Sequence, residues 1–211
     1  CALDMIGAKY IRDVENGEIV IITDNGIESI KPFNKISERP CIFERIYFAS
    51  PDSIVDNKTV YTYRKSLGEQ LAIENNISAD VIVPIPDSGV SAAIGFSQKS
   101  SIPFELGIIR SHYVGRTFIE PSQTIRQFGV KLKHSVNKSC IENKRVILID
   151  DSIVRGTTAN KIVKMVFEAG AKEVHLGISC PPIKHPDFYG IDTPNYSELI
   201  ASKFNLEEMT K

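Results

Sequence analysis

The chain has 211 residues, 42% hydrophobic and 24% charged, a composition that supports one substantial globular domain plus a small additional piece. A formal net charge of −1 excludes an overall attraction to nucleic acid, and no apolar run is long enough to cross a membrane. Four scattered cysteines, Cys1, Cys41, Cys140 and Cys180, form no CxxC pair, which predicts a reducing, cytoplasmic setting.

In chain order, Glu18 to Thr23 and Gly26 to Ile30 carry strand signals, with Asp24-Asn25-Gly26 as the hairpin turn. Lys31 to Pro40 is polar and proline-bounded, the character of a linker. Cys41 to Ala49 then reads as a strand opening a second domain, so the chain divides into residues 1–34 and 35–211. Thr62 to Asn76 is a predicted helix with Leu67, Leu71 and Ala72 as its apolar stripe. Asp80 to Pro86 is a buried strand ended by its prolines, followed by the polar turn Asp87-Ser88-Gly89 and a helix from Val90 to Gln98. Pro103 to Ile109 is a further strand.

Arg110 to Lys138 differs in kind, with six Lys/Arg, two His and a single acid, Glu120, at weak periodicity. A stretch this long in a compact domain is either a functional loop or a solvated basic excursion. His112 and His134 lie within it, as helpers in anion binding or as solvent-facing residues. None of the four histidines has metal-ligand spacing with another His or Cys.

The most informative stretch is Val146 to Thr158. Val146, Ile147, Leu148 and Ile149 read as a strand buried on both faces, as in parallel sheets. Asp150 and Asp151 follow at its C-terminal end, and Ser152 to Thr158 is a turn of hydroxyls with one glycine. A helix begins there, with Thr157 or Thr158 as N-cap, Ile162, Val163, Val166 and Phe167 on one face, and Gly170 as the stop. Strand, polar turn and helix N-terminus together make an anion site, because unpaired N–H groups and the helix dipole point at the turn. Two carboxylates beside it suit a ligand carrying hydroxyls or Mg²⁺ as well as phosphate. Glu173 to Ser179 is the next strand, and Pro181-Pro182 and His185 to Asp192 follow.

Val-Ile-Leu-Ile-Asp-Asp-Ser-Ile-Val-Arg-Gly-Thr-Thr resembles the phosphoribosyl pyrophosphate (PRPP) signature of type I phosphoribosyltransferases, in the form found in the glutamine PRPP amidotransferase family. The resemblance implies an α/β fold with a doubly wound parallel sheet, and a short N-terminal β remnant of an Ntn-type glutaminase domain in residues 1–34. It implies PRPP binding by Asp150, Asp151, Ser152, Ile153, Val154, Arg155, Gly156, Thr157 and Thr158: the Asp pair on the ribose hydroxyls and Mg²⁺, the turn on the 5′-phosphate. Pro84 to Gly89 resembles the pyrophosphate loop, which adds Asp87, Ser88 and Gly89 to the PRPP site, with Ser88 joining Asp150 and Asp151 as Mg²⁺ ligands. Tyr113 to Ile119 resembles the flexible loop that closes over PRPP, which implies catalytic roles for Arg116, Tyr113 and Lys133.

Cys1 matches no glutaminase nucleophile, because the Cys-Gly start of that domain is absent; it is expected to be an ordinary buried cysteine. The family extends beyond both ends of this chain, so truncation is expected at each. Cys41 stands where some members place an iron–sulfur ligand, but Asp187 stands where they have cysteine, and a cluster needs four thiolates; no cluster is expected. Cys180 is expected to be a packed residue. The implied reaction joins ammonia, derived from glutamine in the complete enzyme, to C1 of PRPP and releases pyrophosphate and phosphoribosylamine, the first step of purine synthesis. The expected partners are these small molecules and a second copy of the chain in a homo-oligomer, with no nucleic acid and no membrane. Three other readings remain: a PRPP-sensing regulatory module, against which the lid sequence and Ser88 argue; a base-salvage transferase, against which residues 1–34 argue; and an inert remnant of a truncated gene.

Overall fold

The computed structural model describes residues 2–34, 36–37, 39–111, 134–187 and 195–209. After a helical turn α1 (Ala2–Met5) come the hairpin strands β1 (Ile19–Thr23) and β2 (Gly26–Ile30), then a π-helical turn, Glu44–Phe48. A minimal hairpin, β3 (Ile54–Val55) and β4 (Lys58–Thr59), leads into helix α2 (Val60–Glu74), strand β5 (Val81–Pro84), helix α3 (Val90–Ser100) and strand β6 (Ile108–Arg110). Strand β7 (His134–Val136), the short helix α4 (Lys138–Ile141), strand β8 (Arg145–Asp150), helix α5 (Thr157–Glu168) and strand β9 (Glu173–Ile178) follow. A 3₁₀ turn (Tyr196–Glu198) and two short helices, α6 (Ile200–Lys203) and α7 (Leu206–Met209), end the described chain.

The central sheet is parallel, in the order β5-β8-β9, with Phe104 extending it by one parallel bridge to Ile82. Alternation along the strands supplies two cores. Val81, Val83, Val146 and Leu148 pack with Ile141, Ile162 and Val166 on one face. Ile82, Ile147 and Ile149 pack with Ala92, Ala93 and Phe96 on the other, backed by Leu71 and Ala72. Strands covered on both sides need the near-continuous apolar run seen here, and each fully buried Ile or Val contributes about 1.5–3 kcal/mol. Helix α5 lies on one face and α2 with α3 on the other, so the sheet is doubly wound as predicted. Helices α2 and α3 approach closely: a Cβ on Gly68 would come 1.8 Å from the Ala92 carbonyl oxygen, and one on Gly95 2.0 Å from that of Lys65.

At the N-terminal edge of the sheet, Arg145 donates from Nη2 to Asp80 Oδ1 (2.8 Å) and from Nε to Asp80 Oδ2 (3.2 Å). This ion pair, with the Arg145 backbone N–H on the same carboxylate, holds the Asp80 carboxyl down at about 2. The C-terminal edge carries the polar turns.

Several sequence expectations are corrected. Cys41 to Ala49 contains no strand but a helical segment whose last turn is π-type, because Ile42, Phe43 and Ile46 fall on one helical face and Arg64 binds two of the segment's carbonyls. Pro103 to Ile109 is not one strand: Phe104 bridges to Ile82, while β6 pairs antiparallel with β7. The basic stretch is therefore anchored at both ends, and His134, in β7, is buried. The N-cap of α5 is Gly156, at φ +74, rather than Thr157 or Thr158, since the turn needs a left-handed residue before the helix starts. Phe167 is exposed, while Ile162 and Val166 alone are fully covered on that face. Hairpin β1–β2 forms as predicted, with its apolar Ile22 and Ile27 exposed. Among the described residues no helix is long and apolar enough to cross a membrane.

Candidate active site

The sheet ladder continues past the end of β8 and so fixes the backbone of the Asp pair. Ile85 donates to Ile149 O (2.8 Å), Ser179 to Asp150 O (3.0 Å) and Cys180 to Asp151 O (3.1 Å). With the main chain held on both sides, the carboxylates are placed by strands rather than by a loop. Asp150 Oδ1 accepts from the Asp151 backbone N–H (2.9 Å) and, at a long 3.4 Å, from Ser88 Oγ. Asp151, 5% exposed, accepts from Ser152 Oγ at 2.8 Å.

Burial, and then the adjacent Asp151 carboxylate, push the Asp150 carboxyl well above the usual carboxylate range; the Asp151 amide and Ser88 oppose this only in part. The same two causes, burial and the Asp pair, push the buried Cys180 thiol up to about 12, leaving it a packed, protonated residue as expected from sequence. The crowded carboxylates and the Ser88 hydroxyl form an all-oxygen donor set suited to a hard divalent cation, which takes one or two carboxylates and completes its shell with water and ligand phosphates.

Beyond the pair, Ser152 to Gly156 lead to the α5 N-terminus, whose first N–H groups have no intrahelical acceptor. Among the described residues, no group accepts from the backbone N–H of Ile153, Val154, Arg155 or Gly156. A phosphate seated there would meet several unpaired donors and the positive end of a twelve-residue helix.

The second turn is held against the first. The Pro86–Asp87 peptide is cis, and Gly89 lies so close to β8 that a Cβ would stand 2.2 Å from Ile149 O and 2.9 Å from Ile85 O. Helix α3 starts at once from Gly89, so this turn too presents a helix N-terminus to the strand ends. Arg110, at the end of β6, donates to Asp87 Oδ2 (2.5 Å).

The structure thus gathers Asp87, Ser88, Gly89 and Asp150 through Thr158 at one sheet edge, where ligands of open parallel sheets bind. Tyr113, Arg116 and Lys133, along with His112, lie outside the described residues. Three participants were not singled out from sequence. Arg64 is 5% exposed; it donates from Nε to Arg45 O and from Nη2 to Ala49 O, each at 2.8 Å, and its charge feels Asp151. Arg110 pairs with Asp87, and Glu198 binds Arg155 Nε (3.0 Å). Neither periodicity nor motif marks them; a basic residue on the inward face of α2 was the one available signal. Cys41 and Asp187 line one cavity of about 260 Å³ with Val154 and Cys180.

A phosphoribosyl transferase domain model matches residues 52–189, and the chain belongs to that family. Within it, the chain is similar over its whole length to amidophosphoribosyltransferases. It is 59% identical over 217 aligned residues to that of Rhizobium etli, covering 100% of this chain and 44% of the relative. It is 52% identical to that of Bacillus subtilis, covering 99% and 44%, and 53% identical to the chloroplastic enzyme of Glycine max, covering 100% and 37%. The chain therefore spans less than half the length of these relatives. Among solved structures, the glutamine PRPP amidotransferase of B. subtilis complexed with ADP and GMP superposes with a TM-score of 0.89 at 52% identity, covering 99% of this chain and 46% of that one. A structure described as the allosteric regulatory enzyme of purine biosynthesis gives 0.90, also at 52% identity, covering 99% and 45%.

Proposed function

We propose that this chain carries the PRPP site of an amidophosphoribosyltransferase, which joins ammonia to C1 of PRPP and releases pyrophosphate. The observation that carries the proposal is the Asp150–Asp151–Ser88 cluster set beside a turn with unpaired amides at a helix N-terminus. One ligand that needs both halves is a phosphorylated sugar with free hydroxyls and a second, leaving phosphate group.

In this reading the amides of Ser152 to Thr158 take the 5′-phosphate, Asp150 and Asp151 hold the ribose hydroxyls, and the amides of Asp87 to Gly89 hold pyrophosphate. The nitrogen lone pair forms the bond to C1 as the C1–O bond breaks; the bonding pair leaves on pyrophosphate, and the surplus proton on nitrogen goes to solvent. No side chain attacks, so the protein's task is placement of charge and exclusion of water. Ser88, Asp150 and Asp151 would hold Mg²⁺, which supplies charge neutralisation for the leaving pyrophosphate when bound. Tyr113, Arg116 and Lys133 are assigned to the lid.

The same proposal takes residues 1–34 as the end of a glutaminase unit that would supply ammonia, in a cytoplasmic homo-oligomer. The exposed apolar side chains of hairpin β1–β2 support it, since a two-stranded ribbon is marginal without a packed face. No iron–sulfur cluster is included: residue 187 offers a carboxylate, and Cys180 is a buried thiol held far from ionisation.

The test is pyrophosphate release from PRPP with Mg²⁺ and ammonium, comparing wild type with Asp150→Asn. Ammonium-dependent release lost in the variant is expected. PRPP binding without release would replace catalysis by sensing, and release with a purine or pyrimidine base in place of ammonium would replace it by salvage.

A further inference from the structure

Three contacts join the segment around Glu198 to the phosphate turn from its outer side, and none has a part in the chemistry above. The Ile200 N–H donates to Val154 O (2.9 Å). Arg155 donates from Nε to Glu198 Oε2 (3.0 Å), and its Nη2 reaches the same oxygen. The Ile200 Cδ1 methyl lies 3.1 Å from where a Cβ on Gly156 would stand. Val154 and Arg155 are thus held by residues 200 and 198, Gly156 has the Ile200 methyl beside it, and Leu199 between them is fully buried. The segment is itself tied together, since Ser202 Oγ donates to Tyr196 O (2.7 Å) and Leu199 O (2.8 Å).

An anion site made of backbone amides works only while the dihedral angles that aim those amides are held. Here one of them belongs to a glycine at φ +74, the residue whose own side chain restrains its backbone least. Restraining such a turn removes entropy that ligand binding would otherwise have to remove. The guanidinium of Arg155 is turned away to a carboxylate that neutralises it, so it offers a phosphate less than its place in the motif suggests.

We propose that Glu198 is a positioning residue for the phosphate turn. By engaging Arg155 on the outer side, it fixes Val154-Arg155-Gly156 in the conformation whose amides face the ligand. Arg155 is then a strut and not a phosphate ligand. This rests on the PRPP reading for its ligand, while the restraint itself is measurable without any ligand.

The competing role, in which Arg155 leaves Glu198 to bind phosphate, predicts the opposite sign for the carboxylate. PRPP with Mg²⁺ is titrated calorimetrically into wild type, Glu198→Gln, Arg155→Met, the double variant and the exchanged pair Arg155→Glu/Glu198→Arg, with Tm recorded for each. Each single substitution is expected to weaken binding about fivefold with Tm unchanged, a modest effect because the pair is partly solvated. The double variant should be no weaker than either single one, and the exchanged pair should recover to within about twofold of wild type. Binding by Glu198→Gln that equals or exceeds wild type, with Arg155→Met weakened, overturns the proposal, as do losses that track a falling Tm. If wild type binds no PRPP, the function proposed above fails, and hydrogen exchange at the Ile200 amide decides the inference. Exchange about tenfold faster in Glu198→Gln supports the strut, and unchanged exchange refutes it.

Discussion

Gly89→Ala probes the join between the two polar turns directly. The added methyl would stand 2.2 Å from Ile149 O and 2.9 Å from Ile85 O, and both obstacles are main chain. No rotamer change relieves them, so the turn and the end of β8 must part by roughly 1 Å to reach ordinary contact. Such overpacking typically costs about 1–3 kcal/mol, and the strained Ile85 to Ile149 hydrogen bond, 2.8 Å here, adds about 1 kcal/mol if it breaks. The expected loss is about 2–4 kcal/mol, which lowers the urea midpoint by roughly 1–2 M at an ordinary slope. Ser88 sits next to the displaced residue and reaches Asp150 only at 3.4 Å, so the proposed binding of PRPP should weaken as well. Gly177→Ala is the control, because its Cβ would meet the ends of flexible side chains, Ile149 Cδ1 at 2.8 Å and Leu71 Cδ2 at 3.2 Å. It should cost about 1 kcal/mol or less. A Gly89→Ala protein within about 0.5 kcal/mol of wild type, or a control that loses as much, would refute the reasoning.

Two further outcomes are expected. Asp80, held near 2 by Arg145, is charged in the fold at pH values where an unfolded carboxyl is already protonating. Its contribution is present above the unfolded value of about 4 and is lost as pH falls through the folded one. The stability gap between wild type and Asp80→Asn, followed by denaturant titration, should therefore close as pH falls from about 4 towards 2; a gap independent of pH would exclude the ion pair as its source. Iodoacetamide should modify the exposed Cys41 in the native protein and leave the buried Cys180 untouched until unfolding, as read by peptide mass mapping. Equal labelling of the two would contradict the placement of Cys180 under the Asp pair.

The parts legible in the sequence were those whose cause is local. Four apolar residues ending in two acids can hardly be other than a strand covered on both faces, and β8 is that strand. Hairpin β1–β2 was legible because Asp24 and Asn25 suit a tight turn between two β-branched runs. The misreadings trace to distant partners. Cys41 to Ala49 has the apolar and aromatic content of a strand, yet its carbonyls are bound by an arginine 19 and 15 residues further on. The turn of β3–β4 relies on positive φ at both Asp56 and Asn57, a pair that carries a weaker signal than one with glycine. Arg64 falls on the stripe that Leu67 and Leu71 define, but a single cation there does not say which carbonyls it will bind. The tie between Arg155 and Glu198 joins residues 43 apart, and nothing in either neighbourhood announces it.

The Arg64 contacts also bear on where an independent folding unit can be cut. A polypeptide trimmed to residues 52–189, the span of the family match, would lose both carbonyls, of Arg45 and Ala49, that receive the Arg64 guanidinium. It would lose Ile200 and Glu198 from the outer side of the phosphate turn as well. The Arg64 guanidinium would then turn to water in place of its two carbonyls, and the face of α2 that it tied down would be open. The contacts that brace the site therefore begin at Arg45 and run to Ile200, wider at both ends than the signature by which the family is recognised.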